Sequence, residues 1–218
     1  MSLDRRSTII GLGGVVAGTL GLLATRNKLQ AEPVVPQVRA NLYNCEGCEA
    51  VRQHPAGNLS SVVQLAGQDE QGERMIIRGR ALSADGARPT PNVIIYAHQT
   101  NAEGLYAGGT RETEWSFRHG KLRGWAKTDS TGAYEFHTIK PAPYPDRTIP
   151  AHVHFFIAEP GTPPYYLDDI VFDGEFGVTD EYRAAQEFRG GSGIVSLQRT
   201  GDGLLLVERD IRLERHPT

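Results

Sequence analysis

A tyrosine and two histidines, Tyr144, His152 and His154, fall within eleven residues, in a stretch that also holds Pro141, Pro143, Pro145 and Pro150. A phenolate and two imidazoles are potential metal ligands, so the stretch reads as half of a metal site. Residues two apart on a strand share a face, and Val153, Phe155, Phe156 and Ile157 give the histidine run the character of a strand entering a core. Two imidazoles then stand side by side at the strand's start. The competing reading leaves one histidine exposed and makes the other a hydrogen-bonded core residue. Each proline fixes its own φ and drives the preceding residue towards extended backbone. Tyr144 therefore sits in a stiff connection whose direction is largely set in advance, which suits a ligand.

The elements that must position this stretch are short strands. Apolar, β-branched runs occur at 74–82, 93–97, 124–128, 133–139, 151–158, 194–199 and 204–211. Turn residues separate them, among them Asp85-Gly86, the run Asp129 through Gly132, and the run Thr200 through Gly203. This spacing predicts an all-β protein, a β-sandwich of mostly antiparallel strands with long active-site loops. One helix is expected over 180–188, capped by Thr179 or Asp180 and ended by Gly190-Gly191.

The 218 residues carry a formal net charge of -3, which leaves no nucleic-acid footprint. Residues 1–31 read as a twin-arginine-like signal segment, with Arg5-Arg6 ahead of an apolar, glycine-rich run over 9–24. The expected location is therefore outside the cytoplasm, in the periplasm. An ordinary secretory signal and an uncleaved membrane anchor compete, because no clean Ala-x-Ala site closes the run. Residues 32–73 form an N-terminal extension and 74–218 the sandwich domain. Beyond the leader no 20-residue charge-free segment occurs, so the mature domain is expected to need no membrane. Cys45 and Cys48 are the only cysteines. Export favours a disulfide between them, with bonds to a second chain or half of a zinc site as the alternatives.

The run from Asp129 through Gly132-Ala-Tyr134-Glu-Phe136 to Pro141-Ala-Pro143-Tyr144-Pro145, followed by Pro150-Ala151-His152-Val-His154-Phe155, resembles the signature of the intradiol ring-cleavage dioxygenases, especially the protocatechuate 3,4-dioxygenase branch. Upstream, Gln99-Thr-Asn101-Ala-Glu-Gly104-Leu-Tyr106 is similar to the family's Gln-x-Asn-x-x-Gly-x-Tyr run. The resemblance implies a mononuclear non-haem Fe(III) site held by Tyr106, Tyr144, His152 and His154. Anionic phenolates favour Fe(III) over Fe(II). Tyr134 alternates with Phe136 and is read as packing instead. The implied activity is cleavage of a catechol-type ring between its two hydroxyls, with a small aromatic diol and O2 as substrates and a muconic acid as product. Tyr106 is implied to be the tyrosine that leaves the metal as the diol binds. A monomer or homo-oligomer is expected.

The chain departs from that family pattern around the implied pocket. Ile149 replaces the arginine before Pro-Ala-His, Asp146 the tryptophan after Pro-Tyr-Pro, His98 the tryptophan before Gln99, and Asp169 a glutamine. His98, Arg147, Ile149 and Asp169 are accordingly candidate pocket residues, with Arg111 and Arg118 as further sources of positive charge. His98 is read either as a pocket base or as a surface replacement. Two other function classes remain: a sandwich module that binds an aromatic ligand without catalysis, and a cupin-type divalent-metal protein using His-x-His with Glu159.

Overall fold

The computed structural model describes residues 38–218, so the leader expected over 1–31 lies outside the described residues. Among the described residues the chain forms β1 (Val62–Gln64), β2 (Arg74–Leu82), β3 (Ile94–Gln99), α1 (Glu114–Arg118), β4 (Arg123–Lys127), β5 (Ala133–Ile139), β6 (His152–Ala158), β7 (Tyr165–Tyr166), β8 (Ile170–Phe172), α2 (Asp180–Ala184), β9 (Ile194–Val195), β10 (Leu197–Arg199), β11 (Leu205–Glu208) and β12 (Ile211–Arg212). One sheet runs β1-β5-β2-β11-β10 with β12 also on β2, and the other β4-β3-β6-β8-β9 with β7 also on β6. Six of the ten ladders are antiparallel, and the central pairs β2–β5, β3–β4 and β3–β6 are among them.

Alternation along the strands explains how the sheets face each other. Met75, Ile77 and Ala81 of β2 and Tyr134 and Phe136 of β5 point into one buried cluster. Ile95 and Ala97 of β3 and Val153, Phe155 and Ile157 of β6 close it from the second sheet. Each of the larger side chains among them, Met75, Ile77, Phe136, Ile95, Val153, Phe155 and Ile157, withdraws about 1.5–3 kcal/mol worth of apolar surface from water. Tyr134 also donates its hydroxyl to the Arg209 carbonyl at 2.7 Å, consistent with the packing role expected for it.

The other side chains of β3 and β6 must then point to the outer face of the second sheet. Register sets Tyr96 opposite Phe156 and His98 opposite His154, while β4 places Trp125 opposite Tyr96 and Arg123 opposite His98. This outer face is not left to solvent. A single 3-10 turn, Cys48–Arg52, brings Cys48, Ala50 and Val51 against Tyr96 and Phe156, and Trp125 Nε1 donates to the Ala50 carbonyl at 2.9 Å. Cys45 and Cys48 are joined to each other by a disulfide at the start of this turn.

Within the extension over 32–73, Leu42 sits in the main core and β1 pairs with β5. Several elements differ from expectation. The run over 194–199 splits into β9 and β10, which belong to different sheets, because the chain crosses the sandwich there. The run over 204–211 likewise splits into β11 and β12. Helix α2 ends at Ala184, and a second helix, α1, was not foreseen. Its capping box pairs Thr113 with Ser116, where the sequence signature calls for Glu or Gln at that third position.

Candidate metal centre

Two loops carry the tyrosines, and the sequence builds each from local hydrogen bonds. Asn101 Oδ1 accepts from the amides of Glu103 at 3.1 Å and Leu105 at 2.9 Å, folding the turn that delivers Tyr106. Gln99, at the end of β3, donates to the Ile139 carbonyl at 2.8 Å and accepts from Thr138 Oγ1 at 2.9 Å, tying this turn to the end of β5. Thr100 Oγ1 donates to the Ala142 carbonyl at 2.7 Å, and the Ala142 amide to the Asn101 carbonyl at 3.1 Å. Gly104, with φ of 79°, lets the two loops touch: a Cβ there would lie 2.1 Å from the Pro143 carbonyl oxygen. The motif residues Gln99, Asn101 and Gly104 thus fasten the Tyr106 turn to the proline-rich segment carrying Tyr144.

The four expected ligands meet in a closed ring of donor atoms. Tyr106 Oη lies 3.0 Å from Tyr144 Oη, Tyr144 Oη 3.3 Å from His152 Nε2, His152 Nε2 3.0 Å from His154 Nε2, and His154 Nε2 3.0 Å from Tyr106 Oη. Ligands at right angles and about 2.1 Å from a shared ion would be about 3.0 Å apart. The rings are aimed from behind. His152 Nδ1 is 2.8 Å from the Pro150 carbonyl and His154 Nδ1 2.8 Å from Asp169 Oδ1, so each proton belongs on Nδ1 and each Nε2 turns a lone pair inward. Two lone pairs facing each other at 3.0 Å repel unless a cation lies between them. The donor set therefore fits a metal ion.

Electrostatics agree with that fit. Burial, and then the hydrogen bond and charge of Tyr144, push the Tyr106 phenol far above its ordinary value, and burial also raises Tyr144. Burial and the neighbouring His154 lower His152. Both phenols thus stay protonated and His152 neutral until a positive charge arrives from outside. Burial acts to raise the Asp169 carboxyl, but the charge and hydrogen bond of His154 outweigh it and hold the group below its usual range. The ligating atoms of Asp169, His152 and His154 lie within 4.8 Å of one another. Asp169 is committed to the back of the His154 ring, where a carboxylate raises the ring's basicity and fixes its tautomer.

Beside the centre lies a cavity of about 710 Å³, lined by His98, Tyr106, Tyr144, His154 and Asp169 together with residues of α1 and α2. Of the four pocket candidates, His98 and Asp169 line it and the other two do not. Arg147 stacks over the Phe176 ring at 4.0 Å, and Ile149 is 40% exposed away from the cavity. Both follow from the turn after Tyr144, where Arg147 adopts φ of 54° and its amide bonds back to the Tyr144 carbonyl. Arg111 lies over Phe117 instead of facing the cavity.

His98 is neither a surface replacement nor a free base. It is buried, its Nδ1 has no partner, and it is stacked between His119 at 3.7 Å and His154 at 4.4 Å. Burial, reinforced by His154, holds it well below the ordinary histidine value. Sequence reasoning missed His119, whose Nδ1 is hydrogen-bonded to the Tyr96 hydroxyl at 2.8 Å. No motif marks it, and the stack forms only because the C-terminal end of α1 packs against the outer face of β3. Glu159, weighed for a cupin-type site, bonds Tyr165 and His216 and stands apart from the His152–His154 pair.

A family model described as Dioxygenase matches residues 51–199, more than half of the chain. The chain is 26% identical over 144 residues to catechol 1,2-dioxygenase 2 of Acinetobacter lwoffii, covering 54% of this chain and 50% of that protein. It is 28% identical over 146 residues to hydroxyquinol 1,2-dioxygenase of Rhizobium sp. (strain MTP-10005), covering 55% and 48%. The chain thus spans about half the length of the curated relatives it matches. Among solved structures, catechol 1,2-dioxygenase from Pseudomonas arvilla C-1 superposes with a TM-score of 0.54 at 22% identity, over 76% of this chain and 60% of that one. The dioxygenase domain of a dioxygenase and carbohydrate-binding fusion from Streptomyces sp. SirexAA-E gives 0.52 at 20% identity, over 74% and 94%. By the family match, over a sandwich that these structures share, the chain belongs to the intradiol ring-cleavage dioxygenase family.

Proposed function

We propose that the protein is a non-haem, ferric intradiol dioxygenase. It opens a catechol-type ring between the two hydroxyl-bearing carbons, and both atoms of O2 enter a muconic acid product. The observation that carries this reading is the closed ring of two phenol oxygens and two imidazole nitrogens, with edges of 3.0 to 3.3 Å. Tyr106, Tyr144, His152 and His154 would hold the iron. When bound, the ferric ion supplies a Lewis acid that favours the anionic forms of both phenols and of the diol.

The protein's own groups then have distinct tasks. Asp169 and the Pro150 carbonyl hold the two imidazoles in the tautomer that faces the centre. Each phenol contacts two members of the ring, and Tyr106 is the more deeply buried. Tyr144, which lines the cavity alongside Tyr106, is the less buried of the two. This supports Tyr144, in place of Tyr106, as the phenol that gives way to the diol and accepts one of its protons. The wall formed by His98, His119 and Phe156 carries no free charge and shields the His154 side from water. With the leader read in residues 1–31, the enzyme would work outside the cytoplasm.

Oxygen uptake with product identification tests the reading, using iron-loaded protein and catechol, hydroxyquinol and 3,4-dihydroxybenzoate. One O2 consumed per ring, with a muconate formed, is expected for at least one of them. Binding of these diols without oxygen consumption would replace the enzyme with a ligand-binding module.

A further inference from the structure

The cavity beside the centre is larger than a simple diol fills, and acidic groups outnumber basic ones in its lining. A cavity of about 150 Å³ is enough to hold a benzene ring, whereas this one measures about 710 Å³. Its lining extends beyond the three donors Tyr106, Tyr144 and His154 to Trp115 of α1, Tyr166 of β7, and Tyr182 and Ala185 of α2 and its C-terminal cap. These give a mostly aromatic and aliphatic wall, suited to an apolar ring.

Charge on the same wall is one-sided. Glu46, Asp168, Asp169 and Glu187 line the cavity, and Arg118 is the one guanidinium among the lining residues. Arg118 is committed: it pairs with Glu46 at 2.6 Å and Glu114 at 3.3 Å, and it lies over the Trp115 ring at 4.7 Å. Arg147, the other cation near the Tyr144 loop, stacks on Phe176 and is absent from the lining. Asp169 is itself paired with His154 and Glu187 with Arg189. A carboxylate on the substrate ring would so meet an excess of acidic groups and, among the lining residues, no cation that is not already paired.

We propose that the site takes an uncharged catechol extended by a second, ring-sized apolar group lying against Trp115, Tyr166 and Ala185, and that it disfavours catechols bearing a carboxylate. The proposal rests on the ring-cleavage reading above. Burying a second ring in this wall is expected to raise kcat/KM about tenfold or more over catechol.

The test compares catechol, 4-phenylcatechol and 3,4-dihydroxybenzoate on the iron-loaded full chain, by oxygen uptake. The expected order of kcat/KM is 4-phenylcatechol, then catechol, then 3,4-dihydroxybenzoate. The variant Ala185→Trp, at an exposed position and filling that arm of the cavity, should lower the ratio of 4-phenylcatechol to catechol about tenfold. A carboxylated diol that equals or exceeds catechol overturns the proposal. So does a 4-phenylcatechol to catechol ratio near one that Ala185→Trp leaves unchanged. If no diol is consumed, the ring-cleavage reading fails by itself, and calorimetric affinities for the same three compounds still decide the size and charge preference.

Discussion

The Nε2 atoms of His152 and His154 lie 3.0 Å apart, while the Nδ1 atoms of both rings are bonded to oxygens behind them. That arrangement needs a cation between the rings, and Asp169 makes His154 the better donor to it. Asp169→Asn keeps the shape and a hydrogen-bond acceptor but removes the charge. It is expected to weaken iron binding by about 10–100-fold, measured by competition with a chelator. Unchanged affinity would mean that Asp169 does not serve the centre.

Gly104→Ala tests how the two tyrosine loops are fastened. Gly104 has φ of 79° and a Cβ there would reach to 2.1 Å from the Pro143 carbonyl oxygen. The conformational cost alone is about 1 kcal/mol, and the clash adds to it by pushing the Tyr106 turn off the Tyr144 segment. Chemical denaturation should show a loss above that figure together with weaker iron binding. Gly161→Ala, where φ is 82° and nothing lies within 4 Å of the added carbon, serves as the control that carries strain alone.

The imidazole stack should make the metal-free protein acid-labile. Burial, then the neighbouring His154, Arg118 and Arg123, lowers His119 to about 4, and burial lowers His98 and His152 in the same direction. An unfolded histidine takes up its proton near pH 6.5, so between about pH 6.5 and 4 the unfolded chain binds more protons than the folded one. Stability is therefore complete above that window and falls as pH drops through it. His119→Gln removes one titrating group while keeping a partner for the Tyr96 hydroxyl. Thermal melts across this range should show a shallower pH dependence in the variant, and an unchanged slope would contradict the assignment.

The Cys45–Cys48 disulfide closes a short loop, with a sequence separation of 3, so its loss should cost only about 2 kcal/mol through the unfolded state. Its local effect should be larger, because the 3-10 turn it begins covers Tyr96 and Phe156, and Glu46 inside the loop anchors Arg118 on the cavity wall. Comparing the Cys45→Ser, Cys48→Ser double variant with the parent by denaturation and by 4-phenylcatechol affinity separates the two effects. A modest stability loss with a clear loss of affinity is expected.

The sequence displayed the long elements and the cluster of Tyr106, Tyr144, His152 and His154 more clearly than the pocket. Strands β2 and β5 alternate over most of their length, and their bounds were legible to the residue. His152 and His154 share a face because they are two apart on one strand, and Gln99, Asn101 and Gly104 stood at the spacing of a turn that delivers Tyr106. What stayed hidden depended on partners far along the chain. Helix α1 hides behind a Ser in its capping box, β9 and β10 look like one run until the chain crosses between sheets, and the His98–His119 stack joins residues that only β-sheet register and loop packing bring together. Arg147 and Ile149 occupy a suggestive place in the motif, yet the turn after Tyr144 carries them away from the cavity.

The most direct test of the account is the visible spectrum of the iron-loaded protein. Two tyrosinates on one Fe(III) should give a charge-transfer band that shifts in both Tyr106→Phe and Tyr144→Phe and disappears when both are replaced. Iron that binds stoichiometrically without such a band, or a band indifferent to both substitutions, would contradict the four-ligand centre.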